Sequence, residues 1–429
     1  MILNYTDGYK IDHRSQYPKG TTKVRSNWTA RSSRVPGVDR VIFFGLQYFI
    51  KKYLIEGFNE FFNSSSQHTL VKYKNLIESY LGVGAITYDH IDALHSLGYL
   101  PISIEAAPEG YSIPLKTPMF FIENTLPEFF WLTNYLETML SATLWLPCTS
   151  AATAVRLRSL LWNAAEKTGV DPEWTAWQGH DFSFRGMGSI ESAILSGMAH
   201  LIAFTGTDSI PAIPALIEYY SADPTTLIGG SVPATEHSVM CMGEQLGELQ
   251  TFRRMINEVY PKGIVSIVSD TWDYWKVIGE YLPALKEEIL ARDGKVVIRP
   301  DSGDPVKIVC GDRRSMSMVS RYSVTEYGVS EPNQEYLKAI GTVQALWNIF
   351  GGKTNDKGYK ELDPHIGVIY GDGINYDRAR EIIERLDTAG FASNNIVFGV
   401  GSYTYQYVTR DTFGFAIKST YGEIDGRPV

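Results

Sequence analysis

The sequence predicts an α/β protein built around a parallel barrel whose site lies on one rim. Three observations carry that prediction. A β-branched run, Val296-Val297-Ile298, has no helical period and stops at Arg299-Pro300-Asp301-Ser302-Gly303, where proline removes a ladder donor and glycine admits a tight turn. The same pattern returns at Gly263–Asp270, Ile366–Gly373 and Asn395–Ser402, putting strand ends near Asp270, Arg299, Tyr370 and Gly399. Helix-like stretches separate several of these runs, the order expected of a parallel sheet, and polar strand ends are where α/β enzymes hold ligands. Four runs do not close a barrel by themselves, and an open doubly wound sheet satisfies the same pattern.

Composition narrows the class. With 429 residues, 44% of them hydrophobic, the chain can build one barrel with a companion domain and a large core. A net charge of −9 argues against nucleic-acid binding, which needs a basic face. Cys148, Cys241 and Cys310 are scattered without a CxxC spacing, which points to a reducing compartment and offers no metal cluster. The start, MILNYTDGYKID, has neither a basic nor an apolar leader region, and Phe129 to Pro147 carries Asn134 and Glu137, so it reads as a buried helix rather than a membrane span. The expectation is a soluble, cytoplasmic protein.

Along the chain, Val41 to Tyr53 has apolar residues at helical spacing, and Pro101 to Phe121 alternates between turn signals as strands do. Thr149 to Lys167 is an amphipathic helix closed by Gly169, with a domain boundary just before it. Asp304 to Asn355 is long for one connection and accommodates a helix plus a surface insertion around the Arg- and Ser-rich Gly311–Ser323.

Several clusters carry chemistry-bearing side chains. In His180-Asp181-Phe182-Ser183-Phe184-Arg185-Gly186, Arg185 falls near the start of a following helix, a good anion site, or pairs with Asp181 on the surface. Asp208 follows Gly206-Thr207 and can accept from a ligand amide or cap a helix. Ser231-Val232-Pro233-Ala234-Thr235-Glu236-His237 opens a helix with Pro233 in its first turn, and a neutral His237 there can serve as nucleophile or base. Gly371-Asp372-Gly373 and Gly399-Val400-Gly401-Ser402 let backbone N–H groups approach a phosphate, with Arg410 and Lys418 following. Carboxylates at Asp270, Asp301 and Asp372 with arginines and two glycine turns fit a sugar-phosphate ligand carrying Mg²⁺.

At these residues the chain resembles the nicotinamide phosphoribosyltransferase family. The matching blocks are TDGYK (Thr6–Lys10), FFGLQY (Phe43–Tyr48), HDFSFRG (His180–Gly186), GTD (Gly206–Asp208), SVPATEHS (Ser231–Ser238), SIVSDTWD (Ser266–Asp273), IRPDSGDP (Ile298–Pro305), GDG (Gly371–Gly373) and TRD (Thr409–Asp411), in the family's order. The resemblance implies an irregular parallel α/β barrel over residues 149–402 and a companion α/β domain from residues 1–148 with 403–429. It implies a homodimer with shared active sites that joins nicotinamide to 5-phosphoribosyl-1-pyrophosphate for NAD salvage. Phe182, and Tyr9 from the other subunit, would sandwich the pyridine ring, and Asp208 would accept from the carboxamide while repelling nicotinate. Arg185 and Arg299 would contact the ring edge and phosphates, and Asp301 and Asp270 the ribose and metal. Gly371, Asp372, Gly401 and Ser402 would line the 5′-phosphate pocket with Arg410 and, across the dimer, Arg31; Ser231 and Ser266 complete the substrate contacts. His237 would take a phosphoryl group from ATP as an activating switch, and Mg²⁺ would be carried mainly by pyrophosphate, with no protein ligand assigned to it. Two departures stand out: Ser402 replaces a usual glycine, and Gly8 a usual serine.

Nicotinate phosphoribosyltransferase is the alternative of the same fold, and Asp208 is the discriminator. A non-catalytic binding protein of that fold is the alternative of a different class; the filled Arg, Asp and His positions argue against it. No clustered histidines support a metal-dependent aldolase or hydrolase.

Overall fold

A computed structural model of the chain describes residues 1–245, 247–312, 320, 322–324, 330–371 and 373–429. Most of the Arg- and Ser-rich stretch expected as an insertion lies outside the described residues, and the helices Pro305–Cys310, Gln334–Ile340 and Thr342–Phe350 flank it.

The apolar runs form one parallel sheet. In spatial order its strands are Gly206–Thr207, Gly179–Asp181, Val397–Val400, Ile366–Tyr370, Val296–Arg299 and Val265–Val268. Every neighbouring pair is parallel. The two edges then meet through the segment 230–235, where Gly206 bridges Gly230 and Ala234 bridges Ser266. The Thr207 N–H donates to the Gly230 carbonyl and the Thr235 N–H to the Ser266 carbonyl, both at 2.9 Å. The sheet therefore curls into a barrel with an irregular seam rather than lying open. Recruitment of this segment also corrects one expectation: Pro233 is not in a helix, its carbonyl accepts from the Ser266 N–H, and the helix begins at His237.

Helices cover the outside. In Tyr376–Thr388 the residues Ala379, Ile382, Ile383 and Leu386 are buried, a stripe at helical spacing that joins the same core as the sheet strands. Asn375 caps its start by accepting from the Arg378 N–H. The helix expected from Thr149 instead runs without a break from Glu137 to Thr168, through Pro147. Proline inside a helix costs roughly 3 kcal/mol. Burial of Leu140, Leu144, Leu146, Leu157 and Leu161 on this one helix, at about 1.5–3 kcal/mol each, outweighs that cost. The Pro147 ring lies against Gly45, where a Cβ would come to 2.7 Å. Val41 to Tyr53 is also not one helix: Arg40–Ile42 is a strand, and the helix starts at Leu46 after Gly45 at φ 105°.

A five-stranded antiparallel sheet lies beside the barrel, ordered Arg427–Pro428, Phe415–Ile424, Thr21–Ala30, Pro118–Asn124, Ile102–Ala106. The chain thus returns after the last barrel strand to pair Ala30 with Phe415. Trp28 is fully buried between two rings, Phe415 at 5.2 Å and Phe120 at 6.3 Å, both stacked on it. Among the described residues no helix is long and apolar enough to cross a membrane.

Because Phe415 closes the stack on Trp28, Phe415→Ala should destabilise the protein by about 3–5 kcal/mol, the cost of emptying an aromatic core position. Denaturant unfolding followed by tryptophan fluorescence measures it. An unchanged midpoint would mean that the C-terminal strand contributes nothing to this core.

Candidate active site

The strand Val296–Arg299 ends in a turn that ties two carboxylates together. Asp270, just past Val265–Val268, accepts from the Asp301 N–H at 2.9 Å and from the Ser302 hydroxyl, both at Oδ2. Its Oδ1 is buried, has no hydrogen-bond donor among the described residues, and lies 3.3 Å from His237 Nε2. His237 is half exposed while Asp270 is sealed beneath it. Arg299 is largely buried; its Nε is 3.6 Å from Asp301 Oδ2, and its guanidinium donates to the Thr235 carbonyl at 2.8 Å. Arg299 therefore joins the seam segment to the carboxylate turn.

A second group lies on the neighbouring strand ends. Phe182 donates its N–H to the Val400 carbonyl, and its ring stands 4.7 Å from the His180 ring and 5.9 Å from the Arg299 guanidinium. Asp208 Oδ1 accepts from His180 Nε2 at 2.9 Å and from the Ser231 hydroxyl at 2.6 Å. Burial raises the Asp208 carboxyl, but these two hydrogen bonds and the nearby Arg299 charge outweigh it and hold it below the usual carboxylate range. The alternative in which Asp208 only caps a helix is not realised.

Two glycines make this packing possible. A Cβ at Gly371 would lie 2.2 Å from Asp301 Oδ1, and one at Gly399 would lie 2.5 Å from the Phe182 ring. Gly401 by contrast faces open space at the start of the short helix Ser402–Gln406. Ser402 packs on Gly186, where a Cβ would collide with its hydroxyl. The serine in the glycine-rich turn is thus turned toward the HDFSFRG loop.

Other expected residues are placed differently. Asp181 and Arg185 form no ion pair: Asp181 is fully buried and accepts from the Ser183 N–H, whereas Arg185 is exposed in a short turn before the helix Ile190–His200. Ser266 is in the seam, its hydroxyl buried and without a partner among the described residues. Arg31 donates to the Gly414 carbonyl, Arg410 lies 3.5 Å from Asp411, and Tyr9 is exposed beside His13. None of the hydrogen bonds or ring contacts of these three among the described residues reaches the barrel rim. Asp372 lies outside the described residues. Three residues that the sequence reading passed over enter the site: His180, Ser302 and Thr235. For His180 a signal existed, since residues two apart on a strand share a face and Phe182 was already chosen.

The rim thus presents an aromatic face and an ionised carboxylate linked through His180, a second carboxylate pair and a buried arginine, a set suited to a planar polar base and a phosphorylated sugar. Residues 177–429, more than half of the chain, match the nicotinate phosphoribosyltransferase (NAPRTase) family, and residues 1–104 match the N-terminal domain of nicotinamide phosphoribosyltransferase. The chain is 50% identical to a nicotinamide phosphoribosyltransferase of Acinetobacter baylyi over 99% of its own length and 83% of the relative's. It is 36% identical to one of Mycoplasma pneumoniae, over 96% and 88%. Among solved structures, nicotinate-nucleotide pyrophosphorylase from Pyrococcus furiosus superposes with a TM-score of 0.54 over 100% of this chain and 77% of that one, at 14% identity. Human nicotinic acid phosphoribosyltransferase gives 0.50 over 92% and 72%, also at 14%; both likenesses concern the fold. Sequence matches along nearly the whole length and the shared barrel lead to one conclusion: the chain belongs to the nicotinate phosphoribosyltransferase (NAPRTase) family, as a relative of nicotinamide phosphoribosyltransferases.

Proposed function

We infer that the protein is a nicotinamide phosphoribosyltransferase, making nicotinamide mononucleotide and pyrophosphate from nicotinamide and 5-phosphoribosyl-1-pyrophosphate. The observation that carries this reading is the ionised Asp208, held by His180, whose ring also stands 4.7 Å from the Phe182 ring. A carboxylate accepts hydrogen bonds from an amide and repels a carboxylate, so the pocket favours nicotinamide over nicotinate. Phe182 supplies one aromatic face for the pyridine, and Tyr9 of the partner subunit would supply the other. Tyr9 is exposed, which leaves it available to a partner subunit in a homodimer with shared sites.

Transfer passes through a cationic, oxocarbenium-like sugar. Asp270 and Asp301, locked to each other through the turn, place negative charge near that sugar without having to reorganise. Arg299 and Arg185 would hold phosphates, and Gly371, Asp372, Gly401, Ser402, Arg410 and the partner subunit's Arg31 the 5′-phosphate end. Mg²⁺ would arrive on pyrophosphate, and the carboxylates of Asp270 and Asp301, tied together through the turn, are the oxygen donors a hard cation there would favour. When bound, Mg²⁺ neutralises the leaving pyrophosphate. His237 is half exposed with Nε2 toward Asp270, which favours a proton on Nε2 and leaves the Nδ1 lone pair for the γ-phosphorus of ATP. None of Cys148, Cys241 and Cys310 is in a disulfide, which accords with a reducing cytoplasm.

Three outcomes test this reading. With nicotinamide, phosphoribosyl pyrophosphate and Mg²⁺, chromatography should detect nicotinamide mononucleotide, formed faster with ATP, and His237→Ala should abolish the ATP effect while keeping a basal rate. Product from nicotinate alone would overturn the assignment. Asp208→Ser should shift the kcat/KM ratio toward nicotinate by about tenfold or more, close to 1.4 kcal/mol per tenfold; an unchanged ratio removes Asp208 from base recognition. Gly399→Ala should push the Phe182 ring by overpacking, a change of about 1–3 kcal/mol, and raise KM for nicotinamide about tenfold with a smaller effect on phosphoribosyl pyrophosphate. Equal effects on both substrates would separate Phe182 from the base.

A further inference from the structure

We propose that His180 sets the amide preference of the site by holding Asp208 in one orientation, without itself touching the substrate. The inference rests on the reading of Asp208 as the acceptor for the carboxamide. His180 belongs to the strand Gly179–Asp181, pairs with Gly399 on one side and Gly206 on the other, and is buried. Its ring has a fixed seat: a Cβ at Gly206 would lie 2.7 Å from Nδ1. From there Nε2 reaches Asp208 Oδ1 at 2.9 Å. The Ser231 hydroxyl reaches the same oxygen from the barrel seam at 2.6 Å. The Asp208 backbone is fixed from the same strand, since its N–H donates to the Asp181 carbonyl at 2.9 Å.

Both side-chain donors fall on one oxygen, and that decides the chemistry. An acceptor requirement at Oδ1 fixes the imidazole proton on Nε2. It also means that a proton on Asp208 cannot sit at Oδ1 without displacing a donor, so it would sit on Oδ2. A protonated Oδ2 would donate to a nicotinate carboxylate and could no longer accept well from an amide N–H. With the carboxylate ionised, Oδ2 remains an acceptor only. Burial works against ionisation here, and the two donors oppose it together with the Arg299 charge, so the preference for the amide depends in part on those donors. His180 is therefore a positioning residue, and Ser231 acts through Asp208 in the same way.

The test compares kcat/KM for nicotinamide and nicotinate in the wild type, His180→Ala, His180→Gln, Ser231→Ala, Asp208→Ser and the double variant His180→Ala with Asp208→Ser, at about pH 6 and about pH 8. Folding is checked by thermal unfolding of each. The expected result is a roughly tenfold loss of amide preference in His180→Ala, larger at the lower pH because an unsupported Asp208 protonates there first, a smaller loss in Ser231→Ala, and partial retention in His180→Gln. In the Asp208→Ser background, removing His180 should change the ratio by less than about twofold, the mark of residues acting in series. If Asp208→Ser shifts the ratio but folded His180→Ala and Ser231→Ala do not, this inference fails and the base assignment stands. If Asp208→Ser leaves the ratio unchanged, both fail. An equal loss with and without Asp208 would show that His180 acts by another route, and would also overturn it. Should His180→Ala not fold, the graded losses in His180→Gln and Ser231→Ala decide the matter, and their absence overturns it.

Discussion

The site is built by seating a side chain from one barrel strand end where the neighbouring strand has no Cβ. Asp301 fits over Gly371, Phe182 over Gly399, and His180 against Gly206. Adjacent parallel strands are about 4.8 Å apart, too close for two full side chains to share one spot on the rim. Removing one Cβ of each pair lets the other side chain lie across the strand ends and face a ligand. The cost is the flexibility of glycine, and the ladders on both sides limit it: Gly399 is paired with His180, and Gly206 with both His180 and Gly230.

The seam completes the arrangement. Six ladder strands leave the barrel open between Gly206–Thr207 and Val265–Val268, and residues 230–235 fill the gap with isolated bridges. A regular strand there would point alternate side chains inward and outward. The irregular segment instead delivers Ser231 to Asp208, the Thr235 carbonyl to Arg299, and then His237 to Asp270. The contacts made to Asp208, Arg299 and Asp270 thus all come from the eight consecutive residues 230–237. A change at His237, such as the phosphorylation proposed above, would reach Asp270 and, through the seam, Arg299 and Ser231.

Sequence alone determined the strand runs, their parallel sense, the polar rim and the family, because β-branched runs ending in Gly, Pro and Asp are local signals and the motif blocks are contiguous. It also selected Asp208, Asp270, Asp301, Phe182, Arg299 and His237, since each lies inside such a block. Tertiary structure decided what those residues do to one another. Pro147 reads as a helix boundary locally, but the buried stripe on both sides of it carries the helix through. Pro233 reads as a first-turn proline, but two open sheet edges recruit its segment as the seam. Arg185 reads locally either as an anion site or as a surface partner of Asp181, but Asp181 is drawn inward to satisfy a backbone N–H, and the pair does not form. The roles of His180, Ser302 and Thr235 were set by partners 28, 32 and 64 residues away along the chain. Local sequence specifies which side chains stand at a strand's end; which of them meet depends on strand order and spacing, and those are settled only when the barrel closes.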